Sequence, residues 1–115
     1  MEGTEVFRAL GSADRQILLY ELVTTDGPVS EAALARTVAA RRHQIPREAV
    51  REPTVHRARI RLVHIHLPML VDMDVVVWDG DEVALTEDAC RERLLEAADV
   101  IGAWPPDDTL ALPFG

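Results

Sequence analysis

Eight of the twelve basic side chains, every one an arginine, fall between residues 36 and 61: Arg36, Arg41, Arg42, Arg47, Arg51, Arg57, Arg59 and Arg61. Only Glu48 and Glu52 oppose them, a local balance of +6, while the rest of the chain sets four arginines against eighteen acids, a balance of −14. All four histidines, His43, His56, His64 and His66, lie in the same stretch or just beyond it. Guanidinium groups are planar forks of donors that match phosphate oxygens and the O6/N7 edge of guanine. The chemistry on offer is therefore anion recognition by one face, with the acidic remainder kept solvated. A solvated basic face without a ligand would have the same composition.

Other chemistries lack parts. Ser12 and Ser30 are the only serines and both read as helix caps, no glycine-rich loop follows a strand, and the acids scatter, so no catalytic residues are expected and the chain does not read as an enzyme. His64 and His66 sit two apart, about 200° around a helix, and cannot share one ion. The single cysteine, Cys90, can form neither an intramolecular disulfide nor a paired-cysteine zinc site and reads as a small core residue. No metal and no cofactor are expected.

The chain has 115 residues, a formal charge of −8 and 48% hydrophobic residues, which fits one domain with a core that needs no staple. Lysine is absent. Together with the excess of acid, that is the composition of proteins from salt-in halophiles, where a Debye length of about 3 Å at molar salt lets an acidic chain approach a polyanion. Glu2 and Glu5 stand where a signal peptide would be positive, and no apolar run reaches the roughly 18 residues of a membrane span. The expectation is a soluble cytoplasmic protein of a halophile.

The elements that must position the arginines follow from caps and periodicity. Residues 4 to 10 read as a short helix stopped by Gly11. Ser12 caps a second helix carrying Ile17, Leu18, Leu22 and Val23, which ends at Thr25-Asp26-Gly27-Pro28. Ser30 caps a third with Glu31 in its first turn and an apolar face of Ala33, Leu34, Thr37 and Val38. A basic connector closes at Pro53. From Thr54 to Met73 a long helix bears two apolar stripes, Ile60-Val63-Leu67-Leu70 and Leu62-Ile65-Met69-Met73, predicting cover on two sides. Between them Arg57, Arg61 and His64 form a polar stripe, and Arg59 and His66 a further polar edge. His56 could reach phosphate from the helix start or, projecting toward the core stripe, be buried and hydrogen-bonded, and Pro68 is expected to kink the helix. Val75–Trp78 and Asp81–Leu85 around Asp79-Gly80 predict a hairpin with an acidic tip that stays out of a nucleic-acid groove and serves packing. Thr86 reads as the cap of a last helix with Cys90, Leu94, Ala97, Ala98 and Ile101 on one stripe, ended by Gly102.

This order is that of a winged helix-turn-helix, mainly α with a small β-hairpin, spanning residues 1–103 and followed by an irregular tail at 104–115. The run Val63-His64-Ile65-His66-Leu67-Pro68-Met69-Leu70 with Val71–Val76 is similar to the end of the recognition helix and the start of the wing in ArsR-like winged-helix regulators, with Asp74 where glycine is usual. Val6–Leu10 with Ser12 and Arg15, the Asp26–Ser30 turn and the His-x-His-Leu-Pro run resemble a haloarchaeal winged-helix family of unknown function. The resemblance covers roughly residues 5 to 86 and implies regulation of transcription. On this reading Arg57 and Arg61 are the leading contacts to double-stranded DNA, with His64 on the same stripe and Thr54 near the helix start. Arg41, Arg42, Arg47 and Arg51 suit sequence-independent phosphate contacts. Val6, Phe7, Leu10, Leu94, Ala98 and Ile101 are expected to join two copies across a two-fold axis, giving a homodimer on a pseudo-palindromic site. The competing expectation is a winged-helix adaptor that docks an acidic protein partner without binding DNA.

Overall fold

Two serines start the helices that carry the domain. The computed structural model describes residues 8–25, 27–87 and 91–96. Ser12 is extended, and its Oγ accepts from the Arg15 N–H at 3.5 Å at the head of α1 (Ala13–Thr24). Ser30 does the same for α2 (Glu31–His43), accepting from the Ala33 N–H at 3.0 Å. Each cap satisfies a backbone donor that the first helical turn would otherwise leave open. At its far end α2 closes on Gln44 in the left-handed region, with the Ile45 N–H donating to the Ala40 carbonyl at 3.1 Å.

A single 3₁₀ turn, Arg47–Ala49, leads to α3 (Glu52–Arg61), which has Pro53 in its first turn, where a missing N–H costs nothing. The chain then widens into a π turn over Leu62–His66 and resumes as α4 (Leu67–Asp72), so the helix runs almost continuously from Glu52 to Asp72. Pro68 is the local reason: it has no N–H for the His64 carbonyl and its ring crowds that group, and the widened turn, where the Leu67 N–H reaches back to the Leu62 carbonyl, accommodates both. The π turn also rotates everything after it relative to an ideal helix. The long helix is buried along one face, Val55, Ala58, Leu62, His66, Leu67, Leu70 and Met73. Cover on two sides was expected, but Ile60 is 46% exposed and Ile65 55%, while His66, expected on a polar edge, is 2% exposed.

The helix exits through Asp74 at φ 60, and the Val75 N–H donates to the Leu70 carbonyl at 2.9 Å. Aspartate takes the left-handed exit here as its short polar side chain permits. β2 (Val76–Trp78) and β3 (Glu82–Leu85) pair antiparallel around Asp79–Asp81, where Gly80 has φ 94. A third strand joins them: β1 (Val29–Ser30) pairs with β3, Val29 opposite Val83 and Ser30 opposite Glu82, giving the order β1-β3-β2. The hairpin expectation thus becomes a three-stranded sheet, since two residues between a turn and a helix cap leave no alternation to read. Thr86 ends the wing, and the helix start expected behind it, at residues 88–90, lies outside the described residues. The Thr86 hydroxyl donates back to the Asp74 carbonyl at 3.0 Å, tying the end of the wing to the exit of the long helix.

The core joins Ile17, Leu18, Leu19 and Leu22 of α1 to Leu34 and Val38 of α2, Leu62, Leu67 and Leu70 of the long helix, and Val75, Val76 and Val83 of the sheet. Leu10 and Leu94 belong to it as well, at 3% and 0% exposure. Both were expected at a dimer interface; the single chain already covers them, Leu94 from the helical residues 91–96. Val6, Phe7, Ala98, Ile101, Cys90 and the tail 104–115 lie outside the described residues. Among the described residues no helix is long and apolar enough to cross a membrane. Two helices hold a third along one face, and a three-stranded sheet flanks it: the fold is a winged helix-turn-helix.

Candidate nucleic-acid interface

The outward side of the long helix is made by what the core does not take. Burial of Val55, Ala58 and Leu62 leaves His56, Arg57, Ile60 and His64 exposed. From Pro53 to Val71 the chain has no acidic residue, nineteen positions in a protein with twenty acids. Arg57 is exposed, and its Nη2 donates to the Thr54 hydroxyl at 3.3 Å, which steadies the guanidinium without neutralising it. Arg47 and Arg51 are exposed just ahead of the helix, and Arg41 is partly exposed at the end of α2. His56, for which an outward and a buried place were both open, stands outward with them.

The inner side holds a buried charge cluster centred on Asp14, which is 1% exposed. Arg42 of α2 donates Nη1 to Asp14 Oδ1 at 3.0 Å, and Arg61 of α3 donates Nε to Oδ2 at 2.9 Å. His66 of the π turn places Nε2 at 3.3 Å from Oδ2. Its Nδ1 lies 3.2 Å from Nη1 of Arg15, and since a guanidinium only donates, Nδ1 is the acceptor in that contact. Arg15 is anchored in turn, donating Nε to the Ala9 carbonyl at 3.0 Å. Burial pushes the Asp14 carboxyl up, but His66 and Arg61 beside it outweigh that and hold it below the ordinary aspartate range. Burial also draws the Arg42 guanidinium down, with the Asp14 charge offsetting part of the loss.

Glu31 makes a second buried junction. Its carboxylate accepts from Arg59 Nε at 2.9 Å and from the Trp78 indole N–H at 3.0 Å, so one side chain links α2, α3 and the wing strand β2. Its backbone N–H donates to the Asp81 carbonyl at 2.7 Å, docking the wing tip on the head of α2. The tip itself is acidic and exposed at Asp79, Asp81 and Glu82. Asp79 Oδ1 accepts from the N–H groups of Asp81 and Glu82, both at 2.8 Å, and these bonds, Glu82 foremost, hold its carboxyl below the ordinary range.

Of the residues read as DNA contacts, Arg47, Arg51, Arg57 and His64 are outward, with Thr54 partly buried beside Arg57. Two are corrected. Arg42 has a side chain 1% exposed and is locked to Asp14, so it reaches no phosphate; Arg61, 28% exposed, is engaged by the same carboxylate instead of projecting freely beside Arg57. Arg36 is occupied as well, pairing with Glu52 and donating to the Arg47 carbonyl at 3.3 Å. The periodicity missed Asp14, His66 and the Glu31 junction. The available signal was that Asp14 and Glu31 are acids in first turns followed by arginine-rich helices with few local acids to pair.

A three-helix core with a flanking sheet and an acid-free outer helix face defines the class as winged helix-turn-helix. Within that class the chain belongs to the family of the domain of unknown function DUF7344, whose profile covers residues 7–86. No curated protein matches the chain, and neither does any solved structure.

Proposed function

We propose that this chain is a sequence-specific DNA-binding regulator of transcription that acts as a homodimer, laying the outward side of the long helix in the major groove. The observation that carries the reading is the acid-free stretch from Pro53 to Val71 on the helix that a winged helix-turn-helix uses for reading, in a chain of net charge −8. Arg57 supplies a fork for guanine or phosphate, His56 and His64 flank it, and Ile60 and Ile65 offer apolar contact of the kind that thymine methyls accept. Arg47 and Arg51 suit phosphates to one side. The wing takes no part, because Asp79, Asp81 and Glu82 would be repelled at close range, and its role is to brace the helix through Glu31. The lysine-free composition supports a molar-salt setting inside the cell. Pairing of two copies draws on Leu95, which is 46% exposed.

The test is a fluorescence anisotropy titration of the wild type and Arg57→Ala on duplex DNA at several salt concentrations, with the oligomeric state followed by sedimentation. The reading expects binding that weakens as salt rises, and weaker binding by Arg57→Ala. The adaptor reading draws on the same exposed Ile60 and Ile65. It requires that both proteins ignore DNA and that an acidic protein binds this face.

A further inference from the structure

The cations nearest the reading face divide into two sets, and one buried carboxylate makes the division. Arg57 and Arg61 are one turn apart on α3, about 6 Å along the axis, and would reach neighbouring phosphates if both were free. Only Arg57 is outward. Arg61 lies at the boundary, 28% exposed, with its Nε bonded at 2.9 Å to a carboxylate that is itself 2% exposed. The same carboxylate takes Arg42 from α2. A charge-assisted bond to a buried partner is not given up easily: without Arg61 the buried carboxylate keeps Arg42 on Oδ1 but loses the donor bonded to Oδ2, and that loss in the interior costs more than an exposed phosphate contact returns.

Resting on the DNA-binding reading, we infer that Asp14 is a positioning residue for the reading face: it withholds Arg61 and Arg42 from the nucleic acid and fixes the helix so that Arg57, Arg47 and Arg51 make the contacts. The partner it shapes recognition of is duplex DNA, and what it sets is specificity. Each added free cation on the helix would strengthen binding to any sequence alike, since phosphate contacts carry no sequence information. By engaging Arg61 internally, Asp14 lowers this indiscriminate attraction while leaving the base-reading fork in place.

The decisive measurement is the slope of log affinity against log salt on a mixed-sequence 20-base-pair duplex, for the full chain and three variants. Each phosphate contact contributes a slope of about −0.9, or about 3.5-fold in affinity over a fourfold change in salt. The expected results are a slope shallower by about 0.9 for Arg57→Ala, an unchanged slope for Arg61→Ala, and one steeper by about 0.9 for Asp14→Asn as Arg61 is released. A merely structural Asp14 would change the active fraction and leave the slope alone. Arg61→Ala flattening the slope as Arg57→Ala does, or a folded Asp14→Asn with the wild-type slope, overturns the inference. If Asp14→Asn does not fold, as judged by circular dichroism, the Arg61→Ala slope decides alone. Absence of wild-type binding is a separate outcome, which overturns the DNA reading and the inference with it.

Discussion

The indole N–H of Trp78 donates to the carboxylate of Glu31 across 3.0 Å, joining a wing strand to the first turn of α2. Arg59 donates to the other carboxylate oxygen at 2.9 Å, so the wing and the long helix share one buried anchor. The short sheet contributes little pairing, three residue pairs between β2 and β3 and two between β1 and β3. Side-chain bonds to Glu31 therefore carry much of the wing's placement. In this chain the wing is a brace for the helix.

Trp78→Phe keeps most of the ring's contact area but leaves Glu31 Oε2 without its donor. A hydrogen bond to a charged partner predicts a loss of about 2 kcal/mol. Val77→Ala on the same strand, where Val77 is 58% exposed, should stay within about 0.5 kcal/mol. Urea unfolding midpoints of the two variants check the contrast.

Asp14 contributes to the acid limit of stability. Removing one partner of a buried ion pair costs about 3–5 kcal/mol, a large share of the roughly 5–15 kcal/mol that holds a domain together, so Asp14→Ala is expected to be marginally folded. The folded-state pKa of Asp14 lies below its ordinary value of 3.8. Its stabilisation is therefore complete above that value and lost as pH falls through the lower, folded one, where the native state must take up the proton last. Urea midpoints measured from pH 6 down to pH 2 should fall steeply at the acid end in the wild type and less steeply in Asp14→Asn.

Much of this architecture can be read from the chain, and the exceptions have physical causes. Caps at Ser12 and Ser30, the Asp79-Gly80 turn and the left-handed Asp74 are local features, and local sequence determines them. The long helix was harder, because a π turn at Leu62–His66 breaks the 100° phase on which the two apolar stripes were drawn. His66 takes the buried place that an unbroken helix would assign to Ile65. β1 has two residues and exists only because β3 lies beside it. The Asp14 cluster escaped for another reason: acids and arginines usually mean surface, and only tertiary structure brings Asp14 and Arg61, 47 positions apart, into contact.

The two serine caps should differ in strength. Ser30 accepts its N–H at 3.0 Å and Ser12 at 3.5 Å, the outer limit of a hydrogen bond. Ser30→Ala is expected to cost about 1 kcal/mol and Ser12→Ala a smaller amount, within the usual range of about 0.5–2 kcal/mol for lost caps. Thermal midpoints of the two variants, compared at one pH, check the order.

Asp79 offers a titration that can be followed directly. Its carboxylate accepts two backbone N–H groups at 2.8 Å, and these favour the charged form. Carboxyl carbon shifts followed by NMR from pH 6 to pH 2 should place its midpoint below the ordinary aspartate value of 3.8, with the amide protons of Asp81 and Glu82 moving in step. As this pKa is depressed on folding, whatever the bonds contribute is present above the unfolded value and lost as acid protonates the group.

The central claim is that duplex DNA sits on the outward side of the long helix. The most direct measurement is amide NMR of the labelled chain titrated with duplex DNA. The account predicts perturbations concentrated between Arg51 and Ile65, with Arg47 joining them and the wing tip at Asp79–Glu82 unmoved. A footprint centred on the wing or on residues 91–96, or spectra unchanged at saturating DNA, would contradict it.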